Sequence, residues 1–239
     1  MGTEGMGNRV RRLAGEGLVV VSSILIAFAL DAFWQDAELK RDLRLDLANV
    51  AREIEVNRGR VEYQIDLTSR MVAALDELLA RTSESSAPDL VVPDTIAWLS
   101  QITPTMDLSL GAIDALLASG RMAAVEDPNL AGRLAGLHGL VGDAVEEQVQ
   151  ALDIQYSLVL PLLTGMDHER IQHIGDVFWT ERRVPGRALP HRGDVVHPRS
   201  QELASFLYNR RALYVVVLGE LDQLLIEFDE LERMIAEAD

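Results

Sequence analysis

The feature that most constrains this chain is an apolar run over residues 18–34, which reads LVVVSSILIAFALDAFW. It contains one ionisable residue, Asp31, and ends on the aromatic pair Phe33 and Trp34. A helix needs roughly 20 mostly apolar residues to cross the hydrocarbon core of a bilayer. Residues 15–34 meet this length, and Trp34 lies where an interfacial aromatic side chain is favoured. The sequence therefore predicts one transmembrane helix over residues 15–34.

Two other interpretations fit the same run. A cleaved signal peptide would have a basic region first, then the apolar run, with residues 27–29 as an A-x-A cleavage site. A buried core helix of a soluble protein would have similar hydropathy. We favour the membrane helix, because the apolar run continues past the cleavage position to Trp34 and then into a charged helical pattern.

Basic residues flank the run on both sides. Three precede it and are candidates for the membrane interface, together with Trp34: Arg9, Arg11 and Arg12. Three follow it: Lys40, Arg41 and Arg44. The first group favours a cytoplasmic N-terminus, and the second group weakens this preference. We expect residues 1–14 to be a cytoplasmic leader and residues 35–239 to lie outside the inner membrane of a bacterium.

The composition limits the class of protein and its partners. Of the 239 residues 48% are apolar and only 5% are aromatic, which is typical of a chain rich in long helices. The net charge is −16, from 38 acidic and 22 basic residues, so a nucleic-acid partner is not expected. There is no cysteine, which excludes disulfides and thiolate chemistry and is compatible with either redox compartment.

A long helical pattern follows the apolar run over residues 35–81. Its apolar residues are spaced three, four or seven apart: Leu43, Leu47, Val50, Ile54, Val61, Ile65, Val72, Leu75 and Leu79. Asn57 and Thr68 occupy polar positions of the same heptad seam. At about 1.5 Å per residue this helix would extend roughly 70 Å. We expect it to continue the transmembrane helix and to resemble a coiled coil.

The remaining segments predict an all-α protein, an elongated antiparallel bundle attached to the membrane helix. In order they are a linker (83–93), two short helices (94–102 and 107–119), a long helix (128–163), an irregular excursion (165–199) and a last long helix (201–236). Asp127 and Pro128 suit the N-cap and the first helical position, and Gly120 suits a helix end. Short strands around 177–180 and 195–196 could form a β-hairpin within the excursion.

Two further patterns predict how the helices pack. Gly132, Gly136 and Gly139 share one face of the second long helix, where each costs about 1 kcal/mol relative to alanine. We expect another helix of the same chain to approach this face closely. If the first long helix leaves the membrane, the second returns to it, which would place the excursion at the headgroups. Its interfacial candidates are Trp179, Arg182 and Arg183.

Ser23, Ala27 and Asp31 are spaced four apart and form one stripe on the predicted membrane helix. Small residues at this spacing allow two membrane helices to approach closely. One interpretation is that the stripe lines a pore, with a ring of Asp31 carboxylates tuning cation passage. The other, which we favour for Asp31, is that this carboxylate lies near the outer headgroups, three residues before Trp34.

No motif predicts catalysis. His168 and His173 flank Glu169 but are five residues apart, whereas the zinc-protease motif needs two histidines four apart on one helix face. Those two histidines could still converge in space with His191 and His197 on a metal ion. We expect no metal site and no cofactor, because loop histidines are usually surface residues. Phosphate-binding, nucleophile-elbow and dinucleotide motifs are absent, so we do not expect an enzyme.

Several short motifs resemble one bacterial family of single-span membrane proteins with no assigned activity. They are Gly15-Glu16, Ile24-Leu25-Ile26-Ala27, Asp31, Trp34, and the later stretches LLASG (116–120) and EDPNL (126–130). The likeness covers about the first two-thirds of the chain, and residues 165–199 have no counterpart in it. The resemblance implies a membrane-anchored protein with a coiled-coil-like helix, and it adds no mechanism.

The sequence leads to three functional hypotheses. The first is a non-enzymatic, membrane-anchored helical protein that self-associates through its membrane helix and the long helix after it, and serves as a scaffold or binds a protein partner. The second is a homo-oligomeric pore lined by the N-terminal helix. The third is an extracytoplasmic sensor, which would need a separate signalling partner because only about 17 residues precede the apolar run.

Overall fold

The computed structural model describes residues 4–84, 88–163 and 193–238, of which the side chains at 4–17, 84, 154–163, 195, 197 and 198 lie outside the description. The elements are α1 (Glu4–Glu84), β1 (Asp89–Pro93), α2 (Asp94–Leu99), α3 (Gly111–Ala118), a 3₁₀ helix (Arg121–Ala124), α4 (Pro128–Leu163), β2 (Asp194–Pro198) and α5 (Gln201–Ala238). Almost all of the described chain is helical, which confirms the predicted all-α class.

The predicted membrane helix and the long helix after it are one continuous element, α1. From Leu43 onward, α1 buries residues at alternating gaps of four and three, as a heptad seam requires. The buried positions of this seam are Leu43, Leu47, Val50, Ile54, Asn57, Val61, Gln64, Thr68, Met71, Leu75 and Leu78, with Leu67 and Ala74 buried beside it. Beyond Val61 the predicted seam positions Thr68 and Leu75 are confirmed, but Ile65, Val72 and Leu79 are only half-buried and Gln64, Met71 and Leu78 take their places.

Helix α5 covers the seam of α1 and runs antiparallel to it. Arg211, in the first third of α5, pairs with Asp76 near the end of α1. Nearer the other end of α5, Glu232 lies 3.7 Å from Arg58, measured from Oε1 to Nε. The seam of α1 is therefore occupied by a helix of the same chain.

Helix α4 runs in the same direction as α1, and the predicted return towards residues 18–34 is wrong. Its first turns lie beside the last turns of α5, where Arg133 Nη1 is 2.5 Å from Glu227 Oε2. The chain has already returned before α4 begins, because Arg121 of the 3₁₀ helix pairs with Asp46 of α1 at 2.6 Å. The short elements between Asp89 and Ala124 thus run back along α1, and α4 must leave in the opposite direction.

A two-stranded antiparallel sheet joins segments that are distant in sequence. β1 pairs with β2 in a register that places Val91 opposite Val196. β1 lies in the segment predicted as a linker, which is a correction: alternate residues Leu90 and Val92 are buried there. The predicted hairpin is also wrong for residues 195–196, whose partner is β1, while 177–180 lie outside the described residues.

The sheet lies at the end of α1 that is far from residues 18–34. Arg199, directly after β2, donates its backbone N–H to the Pro88 carbonyl at 2.9 Å and its side chain to the Thr82 carbonyl. Both described flanks of residues 164–192 are therefore at this far end. The excursion was expected at the membrane because α4 was predicted to run back to it, and α4 runs the other way.

The glycines of α4 face outward, contrary to the prediction that another helix approaches them. Gly132, Gly136 and Gly139 are exposed, and no described atom lies within 4 Å of the position of an added Cβ. Helix α4 instead turns its opposite stripe to α5: Leu130, Leu134, Leu137, Val141, Ala144, Gln148 and Ala151. At the end of α3, Gly120 adopts a φ of 74°, which confirms its predicted role as a helix-terminating glycine.

Two Gly→Ala substitutions are expected to change stability in opposite directions. Gly120→Ala places a side chain in the left-handed region and should lower the free energy of unfolding by about 1 kcal/mol. Gly136→Ala, in an exposed helix interior, should raise it by about 0.5–1 kcal/mol. Urea unfolding of the full-length protein measures both. Destabilisation by Gly136→Ala would mean that a contact outside the described residues covers this face of α4.

Candidate functional site

The first candidate region is the N-terminal part of α1. Every residue from Leu18 to Arg41 is exposed, on all sides of the helix, and Leu18 and Trp34 are 67% and 69% exposed. None of the apolar window is buried by described residues, whereas a core helix of a soluble protein would be mostly buried. One helix of the described chain is thus long and apolar enough to cross a membrane. Exposing this many large apolar side chains to water would cost about 1.5–3 kcal/mol each.

The predicted stripe of Ser23, Ala27 and Asp31 lies on one exposed face of this segment. Its polar groups are hydrogen-bonded within α1. Ser23 Oγ donates to the carbonyl of Val19 at 2.8 Å, which is one turn earlier. Asp31 Oδ2 accepts from Gln35 Nε2 at 2.9 Å, which is one turn nearer the bundle. The bond to Gln35 lies within one helix and is compatible with both predicted positions of Asp31, at the headgroups or in a pore.

A short exposed stretch separates the apolar run from the bundle. Residues 35–41 are mostly polar and all exposed, and the first buried side chain described in α1 is that of Leu43. At about 1.5 Å per residue this stretch spans roughly 10 Å. The headgroup region is about 5–8 Å thick on each side of the hydrocarbon core. If residues 18–34 are in a bilayer, the base of the bundle stands directly outside the headgroups.

Most of the other predicted site residues lie outside the described side chains. For three of them, which lie within α1, the structure describes only the backbone: Arg9, Arg11 and Arg12. Residues outside the description altogether are Trp179, Arg182, Arg183, His168, His173 and His191. His197 is opposite Leu90 in the sheet, without a described side chain. Among described residues, no three His, Cys, Asp or Glu side chains are placed to hold a metal ion.

The second candidate region is an irregular segment over residues 102–110, between α2 and α3, which we call the strap. It has no regular secondary structure and lies along α1. Four side chains of α1 bind it or the residues directly after it: Glu53, Asn57, Arg60 and Gln64. Their gaps of four, three and four place them on one face of the helix. Sequence reasoning singled out only Asn57 of these four.

Asn57 makes the most complete of these contacts. Its Oδ1 accepts from the backbone N–H of Ser109 at 3.1 Å, and its Nδ2 donates to the carbonyl of Ser109 at 2.5 Å. One turn on, Arg60 Nη1 donates to the carbonyl of Asp107 at 2.8 Å. Gln64 Nε2 then donates to the carbonyl of Pro104 at 3.2 Å. Side chains of α1 thus replace the hydrogen bonds that a neighbouring strand would provide.

The two ends of the strap are held by other side chains. Glu53 Oε2 accepts from the backbone N–H of Ala112 at 2.8 Å, so a carboxylate lies at the N-terminus of α3, where negative charge is favourable. Its Oε1 accepts from Ser109 Oγ at 2.6 Å. From α4, Gln148 Oε1 accepts from the backbone N–H of Met106 at 2.8 Å. The strap is therefore fixed by both α1 and α4.

A buried arginine of α5 holds the beginning of the strap. Arg210 is 1% exposed, and its Nη2 donates to the carbonyl of Ile102 at 2.5 Å. Tyr214 OH donates to the same carbonyl at 3.1 Å. The guanidinium lies over the rings of Tyr214 and Phe206, 5.1 and 5.8 Å from their centroids, where a cation–π contact is favourable.

Burial shifts both titratable groups of this cluster. It lowers the pKa of Arg210, an effect that Tyr214 partly opposes, and it raises the pKa of Tyr214. Arginine and tyrosine titrate far above neutral pH, so Arg210 stays charged and Tyr214 stays neutral there. Sequence analysis missed Arg210, although its position between Leu207 and Tyr214 on the apolar stripe of α5 was a usable signal.

Comparisons of the chain with protein-family models, with curated proteins and with solved structures gave no match. The resemblance to a bacterial single-span family therefore stays a prediction. The two candidate regions of the molecule are the exposed segment of α1 and the strap.

We expect Asn57→Ala to destabilise the protein by about 1–3 kcal/mol, because it removes a fully buried side chain that makes two hydrogen bonds to the backbone of Ser109. Asn49→Ala is the matched control. Asn49 is exposed on the same helix and accepts only from Arg52, so its loss should cost less than about 0.5 kcal/mol. Urea unfolding of the full-length variants measures both. Equal effects would contradict the structural role of Asn57.

Proposed function

We propose that this protein is a non-enzymatic scaffold, anchored in the bacterial inner membrane by the N-terminal part of α1. The observation that carries the proposal is that residues 18–34 are apolar and exposed on every side, in the same helix that forms one side of the bundle core. An apolar helix exposed in this way is stable in a bilayer and not in water.

Helix α1 suits the transmission of position from the membrane to the bundle. It contains no proline between its ends, and its one glycine beyond the apolar run is Gly59. The bundle and the strap are packed along it from Leu43 to Leu78. A partner that binds the bundle would therefore be held at a fixed distance from the bilayer, which is what a scaffold does.

Self-association is proposed to occur through the span. The seam of α1 is filled by α5 of the same chain, so it is not open to a second copy. The stripe of Ser23, Ala27 and Asp31 is exposed, and small residues allow a second membrane helix to approach closely. Both copies enter the bilayer in the same direction, so the stripes can face each other across a two-fold axis.

The pore and the sensor are alternatives with less support. The pore hypothesis depends on an oligomer in which Asp31 faces a lumen rather than the headgroups. Ion flux in liposomes that Asp31→Asn abolishes would support the pore over the scaffold. The sensor hypothesis requires a ligand and a separate signalling partner.

Cysteine labelling tests the membrane anchor, and the chain has no cysteine of its own. Ile26 and Glu38 are both exposed on α1, so in water Ile26→Cys and Glu38→Cys would react equally with a membrane-impermeant maleimide. We expect only Glu38→Cys to be labelled in membranes, because Ile26 lies in the hydrocarbon. Labelling of Glu38→Cys in intact cells would support the proposed orientation, with the bundle outside.

The same experiment includes its own control. After solubilisation in denaturant, both cysteines should be labelled to the same extent. Equal labelling of both in native membranes would overturn the proposed anchor. Labelling of Glu38→Cys only after the cells are opened would reverse the orientation and leave the anchor intact.

Disulfide cross-linking tests the stripe as an interface. Ala27 and Ala29 lie at nearly the same depth but about 200° apart around the helix. We expect Ala27→Cys to form a disulfide-linked dimer in native membranes under mild oxidation, and Ala29→Cys to form at least about tenfold less. Non-reducing gel electrophoresis measures both. Equal cross-linking of the two variants, or none from either, would contradict self-association through this face.

A further inference from the structure

A cavity lies between α1 and the strap, next to α2. Its volume is about 230 Å³. Apolar and aromatic side chains form its inner wall: Tyr63, Leu67, Trp98, Ile102 and Met106. Trp98 and Leu67 are buried, so the cavity reaches from the surface to the core of the bundle. It uses no residue of the proposed membrane anchor.

The size of the cavity limits the ligand that fits it. A dry cavity of about 150 Å³ in a protein core accommodates benzene. Pockets for drug-sized ligands begin at about 300 Å³. A cavity of about 230 Å³ is therefore suited to one or two fused rings. The aromatic side chains of Trp98 and Tyr63 favour a flat ring, because aromatic pairs gain energy beyond the area that they bury.

The polar residues of the cavity favour a ligand without net charge. Arg60 and Asp107 both line it, and their opposite charges leave no excess of either sign. The Arg60 guanidinium also donates to the carbonyl of Asp107 at 2.8 Å, which holds the two residues together. Thr103 and Thr105 contribute hydroxyl groups to the same cavity. A neutral ligand with one hydroxyl or N–H group matches this set, because burying an unpaired charge is costly.

The strap fixes the outer wall of the cavity before any ligand binds. The carbonyl groups of Pro104 and Asp107 are bound by Gln64 and Arg60 of α1, and the N–H of Met106 is bound by Gln148 of α4. A wall that is already ordered loses little conformational entropy on binding, which favours affinity for a small ligand.

We propose that this cavity is a binding site for a small, uncharged aromatic molecule of one or two rings that carries one hydrogen-bonding group. Indole and phenol represent the class. The site goes beyond the proposed scaffold function and does not depend on whether α1 crosses a membrane or self-associates. It would give the bundle a ligand-dependent surface at the strap.

The test uses the full-length protein in lipid nanodiscs, with 5-fluoroindole as the probe. The methionine methyl groups are labelled with ¹³C, and the Met106 signal is assigned from its loss in Met106→Leu. We expect 5-fluoroindole to shift the Met106 methyl signal in a saturable manner and to broaden its own ¹⁹F signal. Benzoate and benzylamine, which carry a charge, should bind at least about tenfold more weakly than phenol.

A cavity-filling variant and a matched control distinguish the site from partitioning into lipid. Leu67→Trp places a larger side chain in the cavity and should abolish the saturable shift. Leu117→Trp, at an exposed position of α3 outside the cavity, should leave it unchanged. If Leu67→Trp does not fold, Leu67→Phe serves the same purpose, with a weaker shift expected.

Three outcomes would overturn the site. The first is no shift of the Met106 signal at the solubility limit of the probe. The second is a shift that does not saturate, together with the same change of the ¹⁹F signal in nanodiscs that contain no protein. The third is a saturable shift that filling the cavity leaves unchanged. Each can occur while the cysteine-labelling experiments still support the membrane anchor. Failure of this proposal and failure of the scaffold are therefore distinguishable.

Discussion

The backbone of the strap sets the constraint on which the rest of the bundle depends. The strap has no sheet partner among the described residues, so its backbone N–H and C=O groups need side chains or water as partners. Asn57 and Gln64 from α1, Gln148 from α4 and Arg210 from α5 meet this need. Three helices are thereby fixed around one segment, because each polar contact is directional in a way that apolar packing is not.

Helix α1 faces two different environments along its length. From Leu43 onward its seam is apolar except at Asn57 and Gln64, which bind the strap, and at Thr68. From Leu18 to Arg41 no described residue buries any side of the helix, and residues 18–34 are apolar on all sides apart from Ser22, Ser23 and Asp31. A helix with one buried face belongs to a bundle, and a helix that is apolar all round belongs in a membrane or a large core. One continuous element therefore carries two patterns, and the change between them occurs over residues 35–41.

The sequence predicted the parts of the fold whose signals are local. The periodic long helices, the start of α4 at Asp127 and Pro128, and the helix end at Gly120 all follow from neighbouring residues. Pairing of β1 with β2 depends on segments about a hundred residues apart, which no local pattern encodes. The direction of α4 was wrong because the return of the chain is made by short elements, whose combined path cannot be read from periodicity.

The candidate sites were only partly predictable, for a different physical reason. A polar residue in an apolar seam signals a buried partner but does not identify it, so Asn57 was noticed without the strap that it binds. The glycines on one face of α4 lower the stability of the helix, which predicted that another helix packs closely there. No described residue packs against that face.

The net charge of the chain affects where the bundle would lie relative to the bilayer, given the proposed anchor. With the proposed anchor in an anionic bilayer, the net charge of −16 on the chain would repel the bundle from the bilayer surface. This repulsion would decay over about 8 Å at physiological salt, which is similar to the length of roughly 10 Å of residues 35–41. With the proposed anchor, Lys40 and Arg41 would lie beside the headgroups and offset the acidic residues around them. A continuous helix and a repulsive surface together would keep the base of the bundle directly outside the headgroups, with the strap and its cavity open to solvent.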